Sequence, residues 1–203
     1  MKASIILNGA VNGTMYITGE LIIAADGGAE ELRRRNILPD VILGDMDSIS
    51  DSTLEFFEDK EVRIQVYPHE KDETDLELAI AYAYKHGADE IEILNWHGER
   101  IDMILAMIGL MSRYKNITAV SENCEIGVLT EGTHYPKAIV GEMWSFLPLC
   151  EADFTISGFK YHFDGKMVIN SPIGVSNEVI HNGVSITVRS GKVVYVRWKK
   201  KPL

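Results

Sequence analysis

Through its first 125 residues the chain alternates short apolar runs with stretches of helical period, and this alternation limits the possible folds more than any other feature. Ser4–Leu7, Leu21–Ala25, Val41–Leu43, Val62–Val66, Ile91–Leu94 and Ile117–Val120 read as buried strands. Gly28–Asn36, Ser52–Lys60, Glu73–His86 and Arg100–Tyr114 read as helices between them. Leu76, Ile80 and Ala83 recur at helical spacing in the third helix, and Ile101, Leu105 and Ile108 in the fourth, as core-facing stripes do. Strands that alternate with helices imply α/β architecture, a mostly parallel sheet with flanking helices.

Near residue 126 the rhythm changes. Glu131-Gly132, Ser157-Gly158, Asp164-Gly165, Asn182-Gly183 and Ser190-Gly191 punctuate short apolar segments, a pattern close to that of all-β domains. Val184–Arg189 and Lys192–Trp198, joined at Ser190-Gly191, read as a hairpin. The chain therefore divides into an α/β domain over 1–125 and a smaller all-β domain over 126–203. Formal net charge is −10, which argues against nucleic acid as a partner. The acids are concentrated early: residues 126–203 hold 9 Lys+Arg and 6 Asp+Glu, whereas the first 125 hold 11 and 24. An acidic half suits handling of a polyphosphate through a metal ion that reverses the local sign. The two cysteines, Cys124 and Cys150, form neither a CxxC pair nor a disulfide ladder, so a reducing cytoplasm and two small buried side chains are expected. The apolar run at Ser4–Leu7 is too short for a signal peptide, and no run approaches the ~20 apolar residues of a membrane span.

Two common phosphate cradles are missing, GxxxxGK[ST] and a GxGxxG after the first strand. Polar clusters instead follow successive strands. Asp26-Gly27-Gly28-Ala29 offers glycines for close backbone approach and a helix start for phosphate, or else only a tight turn. GDMDS at Gly44–Ser48 places Asp45 and Asp47 where two carboxylates can converge on a hard cation, although Asp-rich turns also occur without one. Lys71-Asp72-Glu73-Thr74-Asp75 opens the third helix, with Asp72 a candidate N-cap. Asn95–Asp102 adds Arg100, a planar fork for phosphate or a surface ion pair, and Asp102. In a parallel sheet these strand ends share one rim, where crowded carboxylates repel unless a divalent cation neutralises them. Mg²⁺ is the expected ion, with Arg100 and Lys71 taking the remaining phosphate charge.

At these clusters the chain resembles the thiamine pyrophosphokinase (thiamine diphosphokinase) family. The matching stretches are ADGGA at Ala25–Ala29, PDVILGDMDSI at Pro39–Ile49, KDETDLELAI at Lys71–Ile80 and GERID at Gly98–Asp102. Later come WSFLPLCEA at Trp144–Ala152, ISGFKY at Ile156–Tyr161 and SNE at Ser176–Glu178. The resemblance implies a Rossmann-like domain for ATP and Mg²⁺ followed by a β-sandwich, with transfer of diphosphate from ATP to thiamine to give thiamine diphosphate and AMP. It implies a homodimer with thiamine bound between subunits. Carried over by motif, Asp45, Asp47 and Asp75 hold Mg²⁺ with Asp26 beside them. Asp26, Gly27, Gly28, Thr74, Arg100 and Asp102 serve the nucleotide, and Lys71 and Thr74 face the phosphates or the incoming alcohol. Asp72 or Asp102 takes the proton of the alcohol. Ser176 and Asn177 contact thiamine, and Tyr195 or Trp198 stacks on it, Trp198 being equally readable as a packing aromatic. The family's GGRxDH reads GERIDM here, with Glu99 for a glycine and Met103 for a histidine. Two alternatives stay open: a thiamine- or nucleotide-binding regulator with altered catalysis, and a diphosphokinase for another heterocyclic alcohol.

Overall fold

The apolar runs form the strands they suggest: β1 (Lys2–Ile6), β2 (Leu21–Ala25), β3 (Val41–Gly44), β4 (Arg63–Val66), β5 (Glu90–Leu94) and β6 (Ile117–Val120). The computed structural model describes residues 1–10 and 13–199. It resolves into two compact units, Met1–Ser121 and a second that begins at Glu122.

In the first unit the strands lie in the order β6-β5-β1-β2-β3-β4, and every adjacent pair is parallel. Near-continuous burial of Ile5, Ile6, Ile23, Ala24, Val41, Ile42, Ile91 and Ile93 is what a parallel sheet covered by helices requires. The helices are α1 (Gly28–Arg34), α2 (Asp51–Glu58), α3 (Asp75–Lys85) and α4 (Ile101–Arg113). The chain steps outward from β1 through β4 and returns to β5 on the other side of β1. The topological switch point, where open α/β sheets bind ligands, therefore lies between β1 and β5. In α3 the stripe Leu76, Ile80 and Ala83 is buried together with Ala79. The expectation for α4 is corrected: Ile101 and Leu105 are 68% and 65% exposed, and Met107 and Met111 are its buried residues. Both faces of α4 are apolar, so periodicity alone did not say which one meets the sheet.

A buried acid ties the early strands together. Glu92 on β5 pairs across the ladder with Ser4 on β1, whose Oγ donates to Oε1 at 2.5 Å. The Thr18 N–H and hydroxyl each donate to the same carboxylate at 2.7 Å, and Lys2 Nζ lies 3.0 Å away. Burial pushes the Glu92 carboxyl up, but these donors together outweigh burial and hold it below its ordinary value.

The second unit is a sandwich. One layer has β12 (Asn177–Glu178), β9 (Met143–Pro148), β14 (Val193–Trp198) and β7 (Cys124–Leu129) in that antiparallel order. The other has β11 (Phe163–Val168), β10 (Glu151–Ser157), β13 (Ser185–Ser190) and β8 (Gly132–His134). Leu129, Trp144, Phe146 and Val193 from the first layer share a core with Phe154, Ile156, Met167, Ile186 and Val188 from the second. The expected hairpin is corrected, because β13 and β14 belong to different layers and the chain crosses between them after Ser190. Each strand has an apolar face, and crossing lets both faces meet in one core. Cys124 is buried, and burial pushes its thiol up to about 11, whereas Cys150 is exposed, against expectation. Among the described residues no helix is long and apolar enough to cross a membrane.

Glu92→Ala is expected to cost roughly 3 kcal/mol in urea unfolding, because it strands buried donors and a cation. A carboxyl held low in the folded state contributes stability above its unfolded value near 4.5, and that contribution is lost as pH falls through the folded value. The gap between wild type and variant is therefore expected to narrow in acid. An equal gap at neutral and acid pH would show that the loss is one of packing.

Candidate functional site

The carboxyl ends of β2, β3 and β4 carry most of the expected site residues. Asp26 follows β2 in the left-handed region, φ 46°, and its N–H donates to Leu43 O on β3 at 2.8 Å. The crossing is tight because Gly44 ends β3 at φ 149°, and a Cβ there would sit 2.9 Å from Asp26 Cβ. Asp45 and Asp47 flank Met46, itself left-handed at φ 66°. Non-glycine residues at positive φ store strain of about 1–3 kcal/mol each, which persists only where the surrounding structure imposes it.

Asp75 opens α3, which packs across β2 and β3. The cap is Thr74, whose Oγ1 accepts from the Glu77 N–H at 3.2 Å. This corrects the assignment of the cap to Asp72, which is exposed. Thr74 with Glu77 has the spacing of a capping box, and a cap adjacent to the first turn prevails over one two residues earlier. It also means that the Thr74 hydroxyl is engaged with the helix.

These elements bring together oxygens of Asp26, Asp45 and Asp75 within 4.8 Å of one another, and a second group, Asp45, Asp47 and His69, shares Asp45 with the first. Lys71 Nζ lies 3.1 Å from Asp75 Oδ1 and 3.9 Å from Asp45 Oδ2. Burial pushes the Asp75 carboxyl up; the Lys71 ammonium opposes this, Asp26 and Asp45 reinforce it, and the net shift is upward. Burial also pushes Asp45 up, but His69, the Asp47 N–H and Lys71 together hold it below its ordinary value. Asp26 is 8% exposed, and its Oδ1 has no hydrogen-bond partner. Three carboxylates with oxygens this close, one of them on a buried aspartate with an unpartnered oxygen, are the donor set of a hard divalent cation, so Mg²⁺ fits these residues.

His69 escaped the sequence reading. Its signal was modest, two residues before Lys71 on the loop after β4, but its Nδ1 stands 2.6 Å from Asp45 Oδ2 and 3.7 Å from Asp47 Oδ2.

Other expected residues sit apart from this cluster. Gly27 and Gly28 serve close packing: a Cβ on Gly27 would meet Asn8 Nδ2 at 2.3 Å, and one on Gly28 would meet Ile6 O at 2.1 Å. Gly27 also lines an open cleft of about 470 Å³ at the switch point, with Asn8, Gly9, Glu30, Arg33 and Asn95. Arg100 and Asp102 bind one another, Nε to Oδ1 at 2.9 Å and Nη2 to Oδ2 at 2.6 Å, on the exposed start of α4. Hydrogen bonding from Arg100 lowers the Asp102 carboxyl.

In the second unit Asn177 is buried, and its amide is committed to the backbone. Its Oδ1 accepts from the N–H groups of Tyr161 at 2.9 Å and Glu178 at 3.0 Å, and Nδ2 donates to Tyr161 O at 2.6 Å. Ser176 beside it is exposed and left-handed, φ 61°. Tyr195 lies over Gly127, stacks on Trp144 with centroids 5.3 Å apart, and donates to Glu125 at 2.8 Å. Trp198, three residues along the strand, points to the opposite face of β14, so the two aromatics do not share one ligand-facing surface.

Residues 15–121 match the family model for the thiamin pyrophosphokinase catalytic domain, and residues 132–193 match the model for that family's vitamin B1 binding domain. The chain is 30% identical over 190 residues to thiamine pyrophosphokinase of Bacillus subtilis, with 87% of this chain and 86% of that one covered. It is 29% identical over 195 residues to thiamine pyrophosphokinase 1 of Oryza sativa subsp. japonica, covering 89% and 73%. Its fold superposes on the crystal structure of the Bacillus subtilis thiamine pyrophosphokinase with a TM-score of 0.87, at 25% identity over 99% of this chain and 100% of that one.

Asp26→Asn tests the crowding of charge. Asn tolerates the left-handed backbone, so the fold is kept while one of the like charges goes. The metal-free variant is expected to melt above wild type and to gain no stability from Mg²⁺ or Mn²⁺ in thermal unfolding. A full wild-type response to the cations would exclude Asp26 as a ligand. Asn177→Ala is expected to cost about 2 kcal/mol in urea unfolding by leaving the Tyr161 backbone groups unpaired. Unchanged stability would return Asn177 to a pure substrate contact.

Proposed function

Because this chain belongs to the thiamin pyrophosphokinase family, we propose that it transfers the diphosphate of ATP to the hydroxyethyl oxygen of thiamine, giving thiamine diphosphate and AMP. The observation that supports this most directly is the buried carboxylate set at the strand ends, with its unpartnered Asp26 oxygen. Asp26, Asp45 and Asp75, with Asp47 beside them, would hold Mg²⁺. The bound ion supplies neutralisation of the charge that develops on phosphate oxygens.

The chain's own groups do the rest. Lys71 is 12% exposed between Asp45 and Asp75, and turns its ammonium from carboxylate to phosphate when the nucleotide arrives. The cleft between the β1 and β5 ends receives the nucleotide, as the switch point of an open sheet does. The thiamine oxygen forms its bond to the β-phosphorus, the bond from that phosphorus to the bridging oxygen breaks, and AMP leaves with the oxygen. The alcohol proton passes to a carboxylate. Asp72 and Asp102 are the candidate acceptors, and Asp102 is paired with Arg100. Arg100 is exposed and paired with Asp102, and reaching the nucleotide means exchanging that carboxylate for phosphate. Thiamine is a cation, so an acidic rim attracts it.

A homodimer with thiamine bound between subunits belongs to the same reading. Ile101 and Leu105 on α4 offer exposed apolar surface that association would cover. A reducing cytoplasm suits two cysteines that are not joined in a disulfide.

The test is to incubate the protein with thiamine, ATP and Mg²⁺ and to separate the products. AMP and thiamine diphosphate in equal amounts are expected; ADP with thiamine monophosphate would overturn the diphosphate transfer. Asp47 is 55% exposed, so Asp47→Asn is expected to keep the fold and lower kcat at least about a hundredfold. Undiminished turnover would remove Asp47 from the site.

A further inference from the structure

Tyr195 packs against the sandwich core with its ring stacked on Trp144, and Trp198 turns to the opposite face of β14. Among the described residues, the aromatics of the second unit left largely exposed are Tyr135 at 76% and Tyr161 at 61%. Tyr161 is the one tied to the Ser176–Glu178 stretch. A bridge between Phe159 and Val179, and a hydrogen bond from the Lys160 N–H to Glu178 O at 2.8 Å, lay the two segments antiparallel. That register brings Tyr161 opposite Asn177. Asn177 is 4% exposed and grips the Tyr161 backbone on both sides: Oδ1 accepts from its N–H at 2.9 Å, and Nδ2 donates to its carbonyl at 2.6 Å. The exposed ring is therefore fixed at its root. It already receives a cation, since Lys160 Nζ lies 5.8 Å from the ring centroid, within the ~6 Å reach of a cation–π contact. Glu178 Oε2 is 3.8 Å from the same ammonium. An exposed aromatic face, a carboxylate and the exposed Ser176 are thus gathered around one buried amide.

We infer that the Tyr161 ring is the face that receives the thiazolium ring of thiamine, with Asn177 the positioning residue that holds it there through the backbone. The inference rests on the reading of this chain as a thiamine diphosphokinase and deepens it, naming the residue that senses the positive charge of the substrate. Thiazolium is a flat, permanent cation, so it gains both stacking area and attraction to the negative face of the ring. The contact with Lys160 is between exposed groups, and a cation of better shape replaces it at little cost. The Tyr161 hydroxyl plays no part in this, so a phenylalanine serves and an aliphatic side chain does not.

The experiment measures binding of thiamine, and of its neutral thiophene analogue, to the full chain by calorimetry without ATP. Tyr161→Leu keeps apolar bulk but removes the aromatic face. It is expected to weaken thiamine binding at least about tenfold and to weaken the neutral analogue far less. Tyr161→Phe is expected to bind thiamine within about threefold of wild type. Because Tyr161 is exposed, these substitutions leave the fold in place. Asn177→Ala is expected to weaken thiamine binding as well, but to add little in a Tyr161→Leu background, because both act through one ring. Additive losses would make Asn177 a direct contact and remove its positioning role. Unchanged thiamine affinity in Tyr161→Leu, or equal losses for thiamine and the neutral analogue, would overturn the inference, as would a wild type that binds no thiamine. Product formation is scored separately. Thiamine binding that depends on Tyr161 without formation of thiamine diphosphate would sink the proposed reaction and keep the contact, whereas product from Tyr161→Leu with an unchanged KM for thiamine would do the reverse.

Discussion

Repulsion among Asp26, Asp45 and Asp75 is the constraint around which the first unit is arranged. Three carboxylates within 4.8 Å of each other are unstable in isolation, and something must hold them there. The holding is done by backbone. The β2–β3 ladder continues through the Asp26 N–H to Leu43 O, Gly44 lets that approach close, and Thr74 fixes the start of α3 so that Asp75 faces the strand ends. The side chains then have nowhere else to go. Burial and the neighbouring charges push the Asp75 carboxyl up against Lys71, so this group makes metal-free stability fall as pH rises from its unfolded value through the folded one.

The second unit is built on the opposite principle, because among the described residues its buried side-chain polar atoms have partners. Glu142, 5% exposed, accepts from Arg197 Nε at 3.0 Å and Nη2 at 2.8 Å, and also from Trp144 Nε1 at 3.2 Å. Arg197 goes on to Glu125, which takes the Tyr195 hydroxyl. Every member of this chain of donors and acceptors is on β7, β9 or β14 or, for Glu142, on the residue just before β9. A network satisfied in this way rigidifies a layer and leaves little free to seize a ligand. Asn177 follows the same rule. The contrast separates a unit that leaves a buried carboxylate oxygen unpartnered from one whose network is already committed.

Legibility follows from how local each determinant is. The strands of the first unit and the four helices were visible because burial on both faces makes parallel strands continuous apolar runs, and because Leu76, Ile80 and Ala83 keep the helical period. The aspartates were visible because they directly follow those runs. What stayed hidden depends on partners distant in sequence. The buried face of α4, the layer that β14 joins, and the inward turn of His69 are decided by contacts across the fold, and no local pattern encodes them. Asn177 was legible as a polar residue in a motif, but its commitment to the Tyr161 backbone, 16 positions away, was not.

Charge balance on the rim explains how such a site folds before it binds anything. Lys71 stands between Asp75 and Asp45, and His69 stands against Asp45 from the other side, so the shared aspartate is flanked by donors in the metal-free state. Asp26 is left out, and its Oδ1 has no such neighbour. The compensation is therefore incomplete at the most buried position and held by replaceable contacts elsewhere. A cation bound as proposed would gain most at Asp26 Oδ1, which has no hydrogen bond to break, and would displace Lys71 and His69 only where it offers a stronger interaction. That ordering lets a single set of carboxylates be stable enough to fold and still poised to bind.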